Sequence, residues 1–254
     1  MKIGIFGDSF AHPVDLQEHF NSISWVNILK EKYDITNYAM SGSGTYFSFQ
    51  EFSNHHTDYD KIIFLSGPVG RVFLPEHMKL DLSTLPNPEL NDRLKLHYHF
   101  ANLGIAERML SLVEAANGSL MDRKRLAAIR DYFMYVMNPA EQTTYSKLMA
   151  KEVQSIRPDA LVRFTATVPG DDIWSVSLME LAHWGETVTS VNQKNLFDIR
   201  QHHLTNQNNV ILANKMDQWI TNGTPLTLPL SDFVKPTEPL EKYYIKQWAG
   251  VLNK

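Results

Sequence analysis

The chain has 254 residues, with 24 Lys and Arg against 28 Asp and Glu, a formal charge of −4, and no cysteine. The lack of cysteine excludes a disulfide framework, thiolate metal sites and a cysteine nucleophile, and the near-neutral charge gives no overall attraction for nucleic acid or an anionic membrane surface. Hydrophobic residues make up 43% and charged residues 20%, a composition that builds a sizeable core and does not stay disordered.

Residues 2–6 form a short apolar run closed by Gly7, the pattern of a buried parallel strand. Residues 24–33 predict a helix with Trp25, Ile28 and Leu29 on one face and Lys30, Glu31 and Lys32 on the other. A second strand is expected over 35–40, ending at Ser41-Gly42-Ser43-Gly44, and a short aromatic-rich helix over 45–53. Residues 61–65, Lys-Ile-Ile-Phe-Leu, predict a third strand that ends at Ser66-Gly67-Pro68. Strand, turn and helix alternate, which argues for right-handed βαβ units on a mostly parallel sheet, an α/β fold. Residues 160–168 are β-branched and closed by Pro169-Gly170, and are expected to form the next strand.

Roughly ninety residues separate the third and fourth strands, far more than one crossover needs. The part over 71–92 is proline-studded and irregular, and the part over 94–156 has helical composition, notably 106–110 and 123–137. Pro139 then suits the first turn of a further helix. Residues 72–157 therefore read as a helical insertion within a single domain spanning 1–254. Residues 205–222 predict the last core helix, with Thr205 as N-cap, a stripe of Leu212, Met216, Trp219 and Ile220, and Gly223 as the stop. A C-terminal extension over 224–254 carries four prolines before a short helix near 243–252. There is no run of about 18 apolar residues, so no membrane span is expected. No signal peptide is apparent, which makes the cytoplasm the expected location; release by lysis or assembly into a particle would leave no mark in the sequence.

Three places carry candidate chemistry. Gly7-Asp8-Ser9-Phe10 follows the first strand directly, and open parallel sheets bind ligands at the carboxyl ends of their strands. A serine there is placed to face a crevice, with its backbone N–H near an oxyanion; the same tripeptide also suits a polar turn in which Asp8 and Ser9 cap the next element. His202-His203, with Asp198 upstream, offers a base and an acid to orient it, or two exposed loop histidines. Gly42 and Gly44 lie in the turn after the second strand, where glycine lets an N–H approach developing negative charge, or simply permits a flexible turn.

Taken together, these residues resemble the SGNH (GDSL-like) hydrolases. The resemblance covers about 1–70 and 158–222 and implies a three-layer flavodoxin-like sandwich. It implies Ser9 as nucleophile within Gly7-Asp8-Ser9-Phe10, Gly42 as the oxyanion glycine, His203 as base and Asp198 as acid. His203 is preferred to His202 because Asp198-Ile-Arg-Gln-His-His203-Leu-Thr resembles the variant Asp-x-Arg-x-x-His-Leu-Ser; the commoner Asp-x-x-His spacing selects Gln201, which is no base.

The family's third block, Gly-x-Asn-Asp, supplies an asparagine to the oxyanion. Here the third strand runs into Ser66-Gly67-Pro68-Val69-Gly70-Arg71, with no asparagine. Loss of such a donor costs about 3–4 kcal/mol of transition-state stabilisation. Either Arg71, or an N–H of Gly67 or Gly70, replaces it, or the site has weakened or drifted to another role. Pro68 has no N–H to offer.

His55-His56 and His97-x-His99 lack metal-site spacing, and no Walker A, dinucleotide or Gly-x-Ser-x-Gly motif is present. The expectation is a serine esterase acting on an O-acyl group of a small molecule or glycan, with carbohydrate O-acetyl as one class, and with no metal or organic cofactor, nucleic acid or membrane partner. An acyltransferase would use the same triad. The reading from another class is a non-catalytic binding or structural protein on a decayed hydrolase core.

Overall fold

A computed structural model describes residues 1–12, 24–40, 42–67, 71–73, 100–101, 110, 120–165, 204 and 206–234. Four strands, β1 (Lys2–Phe6), β2 (Asp34–Asn37), β3 (Lys61–Ser66) and β6 (Leu161–Phe164), form a parallel sheet in the order β2-β1-β3-β6. Registers pair Ile3 with Ile35 and with Lys61, and Ile63 with Leu161. A two-residue antiparallel ribbon, β4 (Val72–Phe73) with β5 (Phe100–Ala101), lies apart from it.

The helices are α1 (Trp25–Lys30), α2 (Thr45–His55), α3 (Leu120–Tyr135), α4 (Pro139–Ile156) and α5 (Asn206–Asn222). The period-2 alternation of each strand divides its side chains between two cores. Ile3, Ile5, Ile63, Leu65 and Leu161 pack on one face with Trp25, Val26 and Leu29 of α1 and Leu212, Met216 and Ile220 of α5. Phe6, Ile62, Phe64, Val162 and Phe164 pack on the other with Phe52 of α2 and Ala150 and Val153 of α4. Each fully buried large apolar side chain contributes about 1.5–3 kcal/mol. The result is an α/β fold with helices on both sides of a parallel sheet. No helix among the described residues is long and apolar enough to cross a membrane.

Local chemistry sets the element ends. Ser24 caps α1 by accepting from the Asn27 N–H, and the helix stops at Lys30, short of the expected 33, with the Lys32 and Tyr33 N–H groups turning back to the Leu29 carbonyl. β2 stops at Asn37 and not at 40, because the Asn37 side chain takes the Ala39 N–H at 2.7 Å and donates to the Ala11 carbonyl at 2.6 Å. That Asx turn ends the extended run. Pro139 occupies the first turn of α4 behind Asn138, whose side chain accepts from Ala140 and Glu141. Gly223 ends α5 at φ +65°, its N–H returning to Trp219.

β6 covers Leu161–Phe164 of the expected 160–168, and the Thr165 N–H still reaches the Ser66 carbonyl at 2.9 Å. Residues 166–168, the cap Thr205, the helix expected near 243–252 and all of 106–110 except Leu110 lie outside the described residues. In the stretch expected to be irregular, 71–92, residues 72–73 instead form β4. α4 falls within residues 72–157, yet it supplies the crossover from β3 to β6 and buries Ala150 and Val153 against the sheet.

Candidate active site

The strand order places β1 between β2 and β3. The chain leaves β1 toward one side and returns from β2 to the other, so the carboxyl ends of β1 and β3 flank a topological switch point. This is where open α/β sheets leave a crevice. Gly7-Asp8-Ser9 follows β1, and Gly67 follows β3.

The turn after β1 is held by its own polar groups. The Asp8 carbonyl accepts from the Ala11 and His12 N–H groups, both at 3.0 Å, and Asp8 Oδ1 accepts from the Phe10 N–H at 3.0 Å. Asp8 is fully buried and Ser9 is buried beside it. The Gly7 carbonyl accepts the Met40 N–H at 3.1 Å and the Ser43 hydroxyl at 3.0 Å, which ties the first turn to the loop after β2.

That loop turns through Gly42. The Ser43 N–H bonds the Met40 carbonyl at 3.1 Å, and Gly42 has φ +84°. A positive φ at the third position is what a type II turn requires, and glycine adopts it without steric cost. Gly67 closes the gap from the β3 side. A Cβ there would lie 2.9 Å from the Ser43 carbonyl oxygen and 3.2 Å from Asp8 Cβ, so only glycine lets the three loops approach so closely.

Arg71 completes the cluster. Its Nη1 donates to Asp8 Oδ2 at 3.3 Å and to the Ser43 carbonyl at 3.0 Å. A buried carboxylate needs such partners to stay charged away from water. The Arg71 side chain is 19% exposed.

Below this cluster, a set of buried hydroxyls joins the strand ends. Thr45 Oγ1 and Ser66 Oγ are 2.7 Å apart, Thr45 Oγ1 lies 3.2 Å from Ser146 Oγ of α4, and Thr165 Oγ1 donates to the Ser66 carbonyl. To one side, Trp25 Nε1 donates to the Phe10 carbonyl at 2.8 Å, and the Trp25 N–H to Asn209 Oδ1 at 3.1 Å. Asn209 Nδ2 donates to the Leu204 carbonyl at 3.1 Å. Leu204 and Phe10 belong to one core cluster.

Of the residues singled out in the sequence, Ser9, Gly42, Gly67 and Arg71 come from the loops that follow β1, β2 and β3. Asp198, His202, His203 and Gly70 lie outside the described residues, as do His97 and His99. His55 and His56 sit at the far end of α2, toward the amino end of β3, with His55 3.9 Å from Glu51 and 4.0 Å from Asp58. Among the described residues no three His, Asp or Glu side chains are grouped to hold a metal ion. Sequence reading missed Ser43 and the pairing of Asp8 with Arg71. Asp8 had read as a turn cap, and nothing local to it announces a partner sixty-three positions away.

No family model matches the chain, and no curated protein matches it. Among solved structures, the chain is similar to a lipase/acylhydrolase from Enterococcus faecalis, at 11% identity and a TM-score of 0.32, over 90% of this chain and 99% of that one.

Proposed function

We propose that the chain is a serine hydrolase of ester bonds, of the SGNH type, built as one domain. The observation that carries this reading is the convergence of Ser9, Gly42, Gly67 and Arg71 on the loops flanking the β1/β3 switch point. Ser9 Oγ attacks the ester carbonyl while His203 takes its proton, and Asp198 orients His203 and stabilises its charged form. The Ser9 and Gly42 N–H groups receive the oxyanion, with Arg71 or the Gly67 N–H in the place of the third-block asparagine. The alcohol leaves with the proton from His203. Water, deprotonated by His203, then attacks the acyl-serine and releases the acid. The substrate class is an O-acyl ester of a small molecule or glycan, with carbohydrate O-acetyl as the first class to try.

The missing asparagine favours a second reading, a non-catalytic binding protein on the same core. A fluorophosphonate probe separates the two. Labelling of the native protein that disappears in Ser9→Ala supports the hydrolase. A native protein that takes no label supports the binding reading.

A further inference from the structure

In a site that must align two backbone N–H groups from different loops, something has to fix the loops relative to each other. The residues that carry these groups each adjoin an acceptor of the same guanidinium. Asp8 precedes Ser9, and Ser43 follows Gly42. Arg71 Nη1 bonds Asp8 Oδ2 at 3.3 Å and the Ser43 carbonyl at 3.0 Å. A guanidinium Nη carries two hydrogens, so both directions of Nη1 are engaged by these acceptors. The Arg71 backbone is seated equally closely. A Cβ on Gly44 would lie 2.8 Å from the Arg71 carbonyl oxygen and 3.1 Å from Arg71 Cβ.

We infer that Arg71 is a positioning residue. It clamps the turn after β1 to the loop after β2 and so holds the Ser9 and Gly42 N–H groups in register, without itself binding the oxyanion. The inference rests on the hydrolase reading above and takes Arg71 out of the place of the third-block asparagine. The planar fork of arginine suits the role, because it reaches two acceptors in fixed directions where an ammonium is only a point charge. The absent asparagine is then offset by rigidity in the two remaining donors.

A double-mutant cycle on the full chain tests this, with p-nitrophenyl acetate turnover and the rate of fluorophosphonate labelling as readouts. Arg71→Gln and Asp8→Asn each lower kcat about a hundredfold with KM little changed, the size of effect a misplaced group produces. If Arg71 acts through Asp8, the double variant loses no more than about the same hundredfold. Losses that multiply, to about ten-thousandfold, make Arg71 an independent oxyanion donor and overturn the inference. Should Asp8→Asn fail to fold, Gly44→Ala takes its place in the cycle, since it displaces the Arg71 backbone without touching a donor. Multiplying losses in that pair overturn the inference equally. A native protein with neither turnover nor label overturns the hydrolase reading and this inference with it, whereas a native protein that labels at Ser9 and shows multiplying losses overturns this inference alone.

Discussion

The Asn209 side chain accepts a hydrogen bond from the Trp25 backbone N–H at 3.1 Å across 184 positions of sequence. The same amide donates to the Leu204 carbonyl, and the Trp25 indole donates to the Phe10 carbonyl. One buried amide thus satisfies an orphan N–H in the first turn of α1 and fixes the chain entering α5. This links the segment after His203 to the segment after Ser9 through two residues that do no chemistry.

Asn209→Leu is therefore expected to destabilise the fold by about 2–4 kcal/mol, since it leaves a buried N–H and a buried carbonyl unsatisfied. Urea unfolding reads the loss as a lower midpoint with unchanged slope. On the hydrolase reading, the rate of fluorophosphonate labelling falls in the same variant under conditions where it remains folded. A folded Asn209→Leu that labels at the native rate would break the link between this bridge and the site.

Two glycines with positive φ separate conformational cost from function. Gly42 at +84° and Gly223 at +65° both occupy the left-handed region. An alanine pays about 1–2 kcal/mol there at either position. At Gly223 a Cβ meets nothing within 4 Å, so Gly223→Ala lowers the melting temperature and leaves turnover unchanged. Gly42→Ala has a similar backbone cost but tilts a proposed oxyanion donor, so kcat falls as well. Equal turnover in the two variants, measured on folded protein, would remove Gly42 from the site.

The Tyr38 ring stacks between Phe6 at 5.1 Å and His55 at 4.4 Å, and its hydroxyl lies 2.7 Å from that of Tyr59. The hydrogen bond with Tyr59 is the main cause that pushes the Tyr38 phenol up to about 12 from an ordinary value of 10.0, followed by burial. A raised phenol means that the fold favours the neutral form. Its contribution is fully present below pH 10, where the phenol is neutral in folded and unfolded chains alike, and is lost as the pH rises through about 12. Thermal melts between pH 9 and 12 are expected to show a falling melting temperature in the native protein. The fall is shallower in Tyr38→Phe, which has no phenol to titrate at that position. Parallel profiles would mean that the Tyr38–Tyr59 pair carries no alkaline linkage.

Much of the architecture was legible in the residues themselves. A buried parallel strand is a short apolar run closed by a turn, and Lys2–Phe6 and Lys61–Ser66 announce themselves that way. The stop at Gly223 and the start at Pro139 follow from single-residue backbone preferences. The strand end at Asn37 was not legible, because a side chain there bonds to Ala11, which is distant in sequence. Nor was the place of α4 legible. Helical composition is the same in an inserted helix and in a crossover helix, and only packing against Phe52 and Val162 distinguishes them.

The sequence by itself determined the alternation of strand and helix, and with it the turn after each strand in which Ser9, Gly42 and Gly67 sit, because periodicity, capping and glycine conformation act over a few residues. Only the tertiary structure decided that Arg71 turns onto Asp8 and Ser43, that Asn209 holds Leu204 to the start of α1, and that Thr45, Ser66 and Ser146 share buried hydrogen bonds. Those pairings join polar groups that have lost their water, and which group finds which is set by the order in which strands lie side by side, a relation that no local pattern of residues records.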